Sequence, residues 1–235
     1  GTIPNVDGVL QPGEWDDAIK VDVSDVFGYS GGTPKPQGSV YMYFKYDDAS
    51  DLLYSAGEDF LNTVLDDNEG FGLYFDDNNN NTFEPNGALP ILQEGNFWAY
   101  WHPWGAELRF RKIFTGGGVG TVDTLFGALV EFSDGAGYVQ GEVAIPMGFI
   151  EGYQLQVYGP DKKVGLGGFM IARLSGAALF NGWWPQTMNS VFNPQYFGDV
   201  AINVSLNAPP QIPSNIAVNK QDNNLIVTFN NPTLG

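Results

Sequence analysis

The chain of 235 residues contains no cysteine. Disulfides and thiolate-bound metal sites are therefore excluded. The absence does not fix a compartment, though it suits a protein that meets oxidising surroundings without mispairing. Basic residues are scarce, 10 against 27 acidic ones, for a formal net charge of −17. Such a surface repels nucleic acid and anionic membranes, which rules out both as main partners, and it favours solubility and cation binding. No apolar run approaches the ~18 residues that a spanning helix needs, so membrane insertion is not expected. No signal peptide is visible, and the opening "GTIPNVDG" is compatible with a leader removed before this numbering begins. Catalytic signatures are also missing. There is no Gly-x-Ser-x-Gly elbow and no His-Glu-x-x-His. "TGGGVGT" (115–121) has Thr121 where a dinucleotide fingerprint needs its last glycine, and no helix follows. Among 27 acids a chance pair of carboxylates in a cleft carries no weight for glycoside hydrolysis. The chain is not expected to be an enzyme.

Helical periodicity is lacking too. No window of helical length keeps apolar residues three to four apart, and one short helical turn, near "PMGFIEG" (146–152), is all that is expected. What the chain has instead is 43% hydrophobic residues, 14% aromatics, 31 glycines and 15 prolines. A packed core of short strands joined by many turns uses residues in this way. Ten segments read as strands: 39–46, 51–57, 70–75, 96–101, 107–114, 128–132, 138–146, 153–159, 168–174 and 199–206. Most are bounded by Gly, Pro, Asn or Asp. In "ELRFRKIF" (107–114), Leu108 and Phe110, and with them Ile113, are assigned to one face, with Arg109 and Arg111 on the other. Strands at this spacing without intervening helices predict an all-β fold, an antiparallel, jelly-roll-like β-sandwich. No internal repeat is evident. At "NAPPQIPSN" (207–215) the composition shifts to that of a Pro-rich linker. The remaining residues, 216–235, read as one strand, a turn and a second strand, too little to fold alone.

Five phrases, in order, carry a resemblance. They are "VDGVLQPGEWDDA" (6–18), "SVYMYFKYDDASDLLYSAGEDF" (39–60), "GFGLYFDDNNNN" (70–81), "YVQGEVAIPMGFI" (138–150) with Glu142, Ile145 and Pro146, and "NPQYFGDVAINVSL" (193–206) with Pro194, Phe197 and Gly198. Together they resemble the family 9 carbohydrate-binding module (DOMON-like) superfamily over residues 3–206. The resemblance implies a β-sandwich and a function that is sugar binding, haem binding or neither. Residues 216–235 resemble the first strands of a fibronectin type III domain, a common neighbour of binding modules in secreted proteins.

Aromatic residues are the leading candidates for a site. Trp98, Trp101 and Trp104 fall within seven residues, and Trp183 and Trp184 stand together later. An indole offers a flat partner to the C–H face of a sugar, while neighbouring amides and carboxylates take its hydroxyls. Asn181, Gln186 and Asn189 lie near the later pair, and Gln93 and Glu107 flank the earlier group. Sugar-binding members of the resembled family hold a sugar between an early and a late tryptophan; Trp183 or Trp184 matches the late one, and Trp98 or Trp101 is assigned as the early one. Core packing is the competing reading for each ring.

In "GFGLYFDDNNNNTFEP" (70–85), Asp76, Asp77, Asn79, Asn81 and Glu84 offer hard oxygens of the kind calcium prefers. Counted from Asp77, the sixth and twelfth places hold Thr82 and Ala88, so the stretch is not an EF-hand. A polar turn needs no metal, since Asn and Asp tolerate left-handed backbone and cap their own chain. The resemblance keeps a structural calcium in play, with Asp66, Asp67 and Glu69 as a second oxygen-rich group. Asp7, Glu14, Asp16 and Asp17 form another acidic group, which the resemblance makes partly structural. Haem-binding relatives use His, Met or Lys ligands, which points to His102 with Met147 or Met170, though His102 among tryptophans reads as a packed or rim residue. The resulting expectation is a non-catalytic carbohydrate-binding module of a secreted or surface bacterial protein. The alternative is a structural or adhesive extracellular protein that self-associates.

Overall fold

The computed structural model describes residues 2–24, 35–47, 49–83, 94–114, 119–122, 127–150, 153–155, 163–174, 177–185, 193–201, 214–221 and 224–230. The chain divides into two compact units, Gly1–Asn203 and Val204–Gly235. The first unit begins with β1 (Ile19–Asp22), β2 (Val40–Asp47), β3 (Leu52–Asp59), β4 (Glu69–Asp76), β5 (Gly95–His102) and β6 (Gly105–Ile113). It continues through β7 (Val119–Val122), β8 (Leu129–Ser133), β9 (Val139–Pro146), β10 (Gly148–Ile150) and β11 (Tyr153–Leu155). The last strands of this unit are β12 (Lys163–Leu174), β13 (Ala177–Trp184) and β14 (Gly198–Ala201). In the second unit, β15 (Ser214–Gln221) and β16 (Asn224–Asn230) pair with each other as an antiparallel ribbon. Residues 207–213 of the expected linker lie outside the described residues.

Two antiparallel sheets form the first unit. One has the order β1-β2-β3-β9-β8; the other has the order β13-β12-β4-β5-β6-β7, with β14 also paired to β12. They face each other across one core, to which the first sheet contributes Met42, Phe44, Val143 and Ile145, and the second Leu73, Phe75, Phe97 and Phe110. The architecture is an all-β sandwich. Alternation along each strand explains which residues enter: Phe71, Leu73 and Phe75 point inward from β4, and Phe97 and Ala99 from β5.

The opposite faces are partly covered as well. Trp15, Tyr43, Tyr54, Ala56 and Ala144 form a second cluster outside the five-stranded sheet, roofed by Val6 and Leu10 of the N-terminal segment. Tyr74, Phe83, Ile113, Phe169 and Phe197 form a third outside the other sheet.

Two expectations are corrected. Ile113 belongs to this outer cluster and not to the core with Leu108 and Phe110, because strict two-residue alternation places it with Arg109 and Arg111. The helical turn near 146–152 is instead strand at Gly148–Ile150, paired antiparallel with Tyr153–Leu155. An aromatic and a β-branched residue in so short a segment favour the extended form.

Candidate functional site

The outer face of β5 carries a file of rings. Trp98 and Tyr100 meet edge to face at 5.2 Å, Tyr100 and His102 lie 6.0 Å apart, and His102 stacks on Trp104 at 4.5 Å with the planes 6° apart. The first three occupy alternate positions, so the pleat turns them all to one side. Beside them β6 contributes a charged rail. Arg111 lies 3.7 Å over the Trp98 ring and Arg109 lies 5.9 Å over Tyr100. Arg109 pairs with Glu107 at 2.7 Å, and Glu107 also accepts from Trp104 Nε1 at 3.4 Å.

Trp104 stands at the end of this file and is the most exposed large apolar residue described, at 72%. Local sequence explains why. His102 pairs with Gly105 across a two-residue loop, Pro103-Trp104, and Gly105 takes φ +132°. A proline at the second place of a turn and a glycine at the fourth suit such a reversal. The turn carries the indole out into solvent, and one of its faces is held by His102. His102 is fixed in turn through Nδ1, 2.7 Å from Asp67 Oδ1. The sequence groups Trp104 with Trp98 and Trp101 but assigns Trp98 or Trp101 as the early sugar partner. The "HPWG" turn is the signal for the exposure of Trp104.

The two tryptophan groups are brought onto one sheet. Register runs Trp183–Phe169–Gly72–Trp98–Arg109 across five strands. Gly72 leaves room there: a Cβ on it would lie 2.2 Å from Phe169 Cε1. Trp183 and Trp98 stand three strand spacings apart, roughly 14 Å. Asn181 lies two residues back along β13, opposite Ile171. Trp184 packs toward the core, 5.3 Å from Phe44. Trp101 is half-buried at the Glu69–Trp101–Ala106 row. Gln186, Asn189 and Gln93 lie outside the described residues.

The Asn-rich loop closes on its own backbone. Asp76 is buried, and its two oxygens accept from the backbone N–H groups of Asn80 at 3.1 Å and Asn81 at 2.7 Å. Asn79 and Asn81 adopt left-handed backbone, φ 53° and 68°, as residues of this type tolerate. Burial raises the Asp76 pKa, against the lowering effect of these bonds and of the Glu94 side chain. Among the described residues no three His, Cys, Asp or Glu side chains are grouped to hold a metal ion, and Glu84 lies outside them. The hydrogen bonds to Asp76 are those of a self-capped turn. Asp66 and Glu69 form another capped turn, Glu69 accepting from Asp66 N at 3.0 Å and Asn62 Nδ2 at 2.8 Å. Met147 and Met170 are buried in the inter-sheet core, whereas His102 lies on the outer face, so the described structure does not bring haem-type ligands together.

The N-terminal segment is fastened through Glu142. This fully buried carboxylate accepts from Trp15 Nε1 at 3.0 Å, Gly8 N at 3.0 Å and Asp7 N at 3.1 Å. Burial pushes its pKa up to about 7 against the pull of those donors. A concavity of about 340 Å³ lies beside this strap, lined by Trp15, Tyr43, Lys20 and Glu58 among others. Its acidic end is filled from within. Lys20 Nζ sits 3.4 Å from Glu58 and 3.8 Å over the Tyr41 ring.

Among the described residues no helix is long and apolar enough to cross a membrane. No protein-family model matches the chain, and no curated protein matches it either.

Proposed function

We propose that residues 1–206 are a non-catalytic carbohydrate-binding module of the family 9-like kind, in a secreted or cell-surface protein. Residues 216–235 are then the opening strands of a fibronectin type III-like domain after a linker at 207–215. One observation carries the reading: Trp104, exposed and backed by His102, ends a file of rings flanked by Glu107, Arg109 and Arg111. A sugar ring stacks on the free face of Trp104, and Glu107 and Arg109 take its hydroxyls. Trp98 and Tyr100 extend the surface for a longer chain. Preorganised aromatic faces lose little entropy on binding, which favours recognition of a ligand that is mostly hydroxyl. Calcium has no chemical step in this reading. Titration of the protein with a panel of oligosaccharides, followed by tryptophan fluorescence, tests it. Saturable binding lost in Trp104→Ala supports it, and no binding by any glycan removes it.

A second reading, a structural or adhesive protein that self-assembles, has its own observation. Phe60, Leu61 and Val64 are exposed together after β3, with Phe60 against Tyr138 at 4.6 Å and Tyr41 at 6.2 Å. Apolar patches of this kind mark contact surfaces. Sedimentation velocity over a concentration series decides it, with a concentration-independent monomer as the contrary result.

A further inference from the structure

We propose that the Trp98 end of the ring file receives a carboxylate, so that the glycan bound there is a uronic-acid chain; this deepens the carbohydrate reading and rests on it. Arg111 is the first ground. Lys20, Lys35, Lys45, Arg109 and Lys163 each pair with a carboxylate. Among the described residues Arg111 has none, although acids outnumber bases 27 to 10. Its contact is the Trp98 ring, 3.7 Å away. Stacking holds a guanidinium flat and leaves its N–H edge free for a planar, two-oxygen partner.

Asn96 is the second and independent ground. It stands directly across the ladder from Arg111. It is 2% exposed, and its Nδ2 has no acceptor among the described residues. A buried donor without an acceptor is costly, so such groups mark a missing partner. Directly paired side chains lie about 5 Å apart at Cβ, which lets one carboxylate bridge guanidinium and amide. Two acids of the same face, Asp76 and Glu94, hydrogen-bond each other. Burial shifts Asp76 toward its neutral form, and exposed charges more than about 8 Å away are screened at physiological salt.

Calorimetry on the full chain tests this with tetramers of galacturonate, mannuronate and glucuronate, their methyl esters, and cellotetraose. At least one uronate should bind, and its methyl ester should bind roughly 10- to 100-fold more weakly. Arg111→Gln should bring the uronate down to the level of the ester, with Arg111→Lys between the two. Uronate and ester binding equally, or neutral glycans binding while every uronate fails, would overturn the carboxylate site and leave the carbohydrate module standing. Equal uronate affinity in native protein and a folded Arg111→Gln would overturn it too. Binding of no glycan at all would remove both. Should Arg111→Gln not fold, the acid-against-ester comparison on native protein still decides.

Discussion

The indole N–H of Trp15 donates to Glu142 Oε1 at 3.0 Å, joining residues 127 apart in sequence. With the backbone N–H groups of Asp7 and Gly8 on the other oxygen, it locks the N-terminal segment over the five-stranded sheet. Trp15→Phe keeps the ring and removes the donor, leaving a buried acceptor short of a partner. It should cost about 1–3 kcal/mol in urea denaturation. A loss under a few tenths would show that the bond contributes nothing.

The same carboxylate gives a pH dependence. Its pKa is about 7 in the folded protein against an ordinary 4.5. Between those values the folded state keeps a proton that the unfolded chain has released. Stability from this group is therefore greatest below 4.5 and falls as pH rises through about 7, by up to about 3 kcal/mol. Denaturation midpoints across that range should lose this slope in Glu142→Gln. A slope unchanged by the substitution would assign it to other groups.

Part of this arrangement is legible in the amino-acid sequence. Alternation in "ELRFRKIF" separates Leu108 and Phe110 from Arg109 and Arg111, because a strand's period of two is local. It misleads at Ile113 only where alternation is relaxed to keep an aliphatic residue in the core. The role of Glu142 cannot be read from its own segment, since its donors arrive from residues 7, 8 and 15. Trp183 and Trp184 are adjacent in sequence, yet register pairs one with Phe169 while the other packs on Phe44. Only strand pairing tells such neighbours apart.

Trp184 and Trp104 should therefore respond oppositely to truncation. Trp184→Ala opens space beside Phe44 and should destabilise by about 2–4 kcal/mol. Trp104→Ala removes an exposed ring and should change stability by less than about 0.5 kcal/mol. Thermal melts of both variants check this. A large loss for Trp104→Ala would make that ring a structural residue.

The Asn-rich loop should be held by Asp76 and not by a metal. Melting temperature should be the same in excess calcium and in chelator. Asn81→Val, which forces a β-branched residue into left-handed backbone, should cost about 1–3 kcal/mol. A calcium-dependent rise in melting temperature that Asp76→Asn abolishes would make the loop a metal site after all.

The most direct test of the carbohydrate reading is a tryptophan-fluorescence titration of native protein and Trp104→Ala against acidic and neutral oligosaccharides. The ring file predicts a saturable shift in the native protein and its loss in a variant that melts normally. A glycan that binds both proteins equally, or no shift with any glycan, would contradict a site at Trp104.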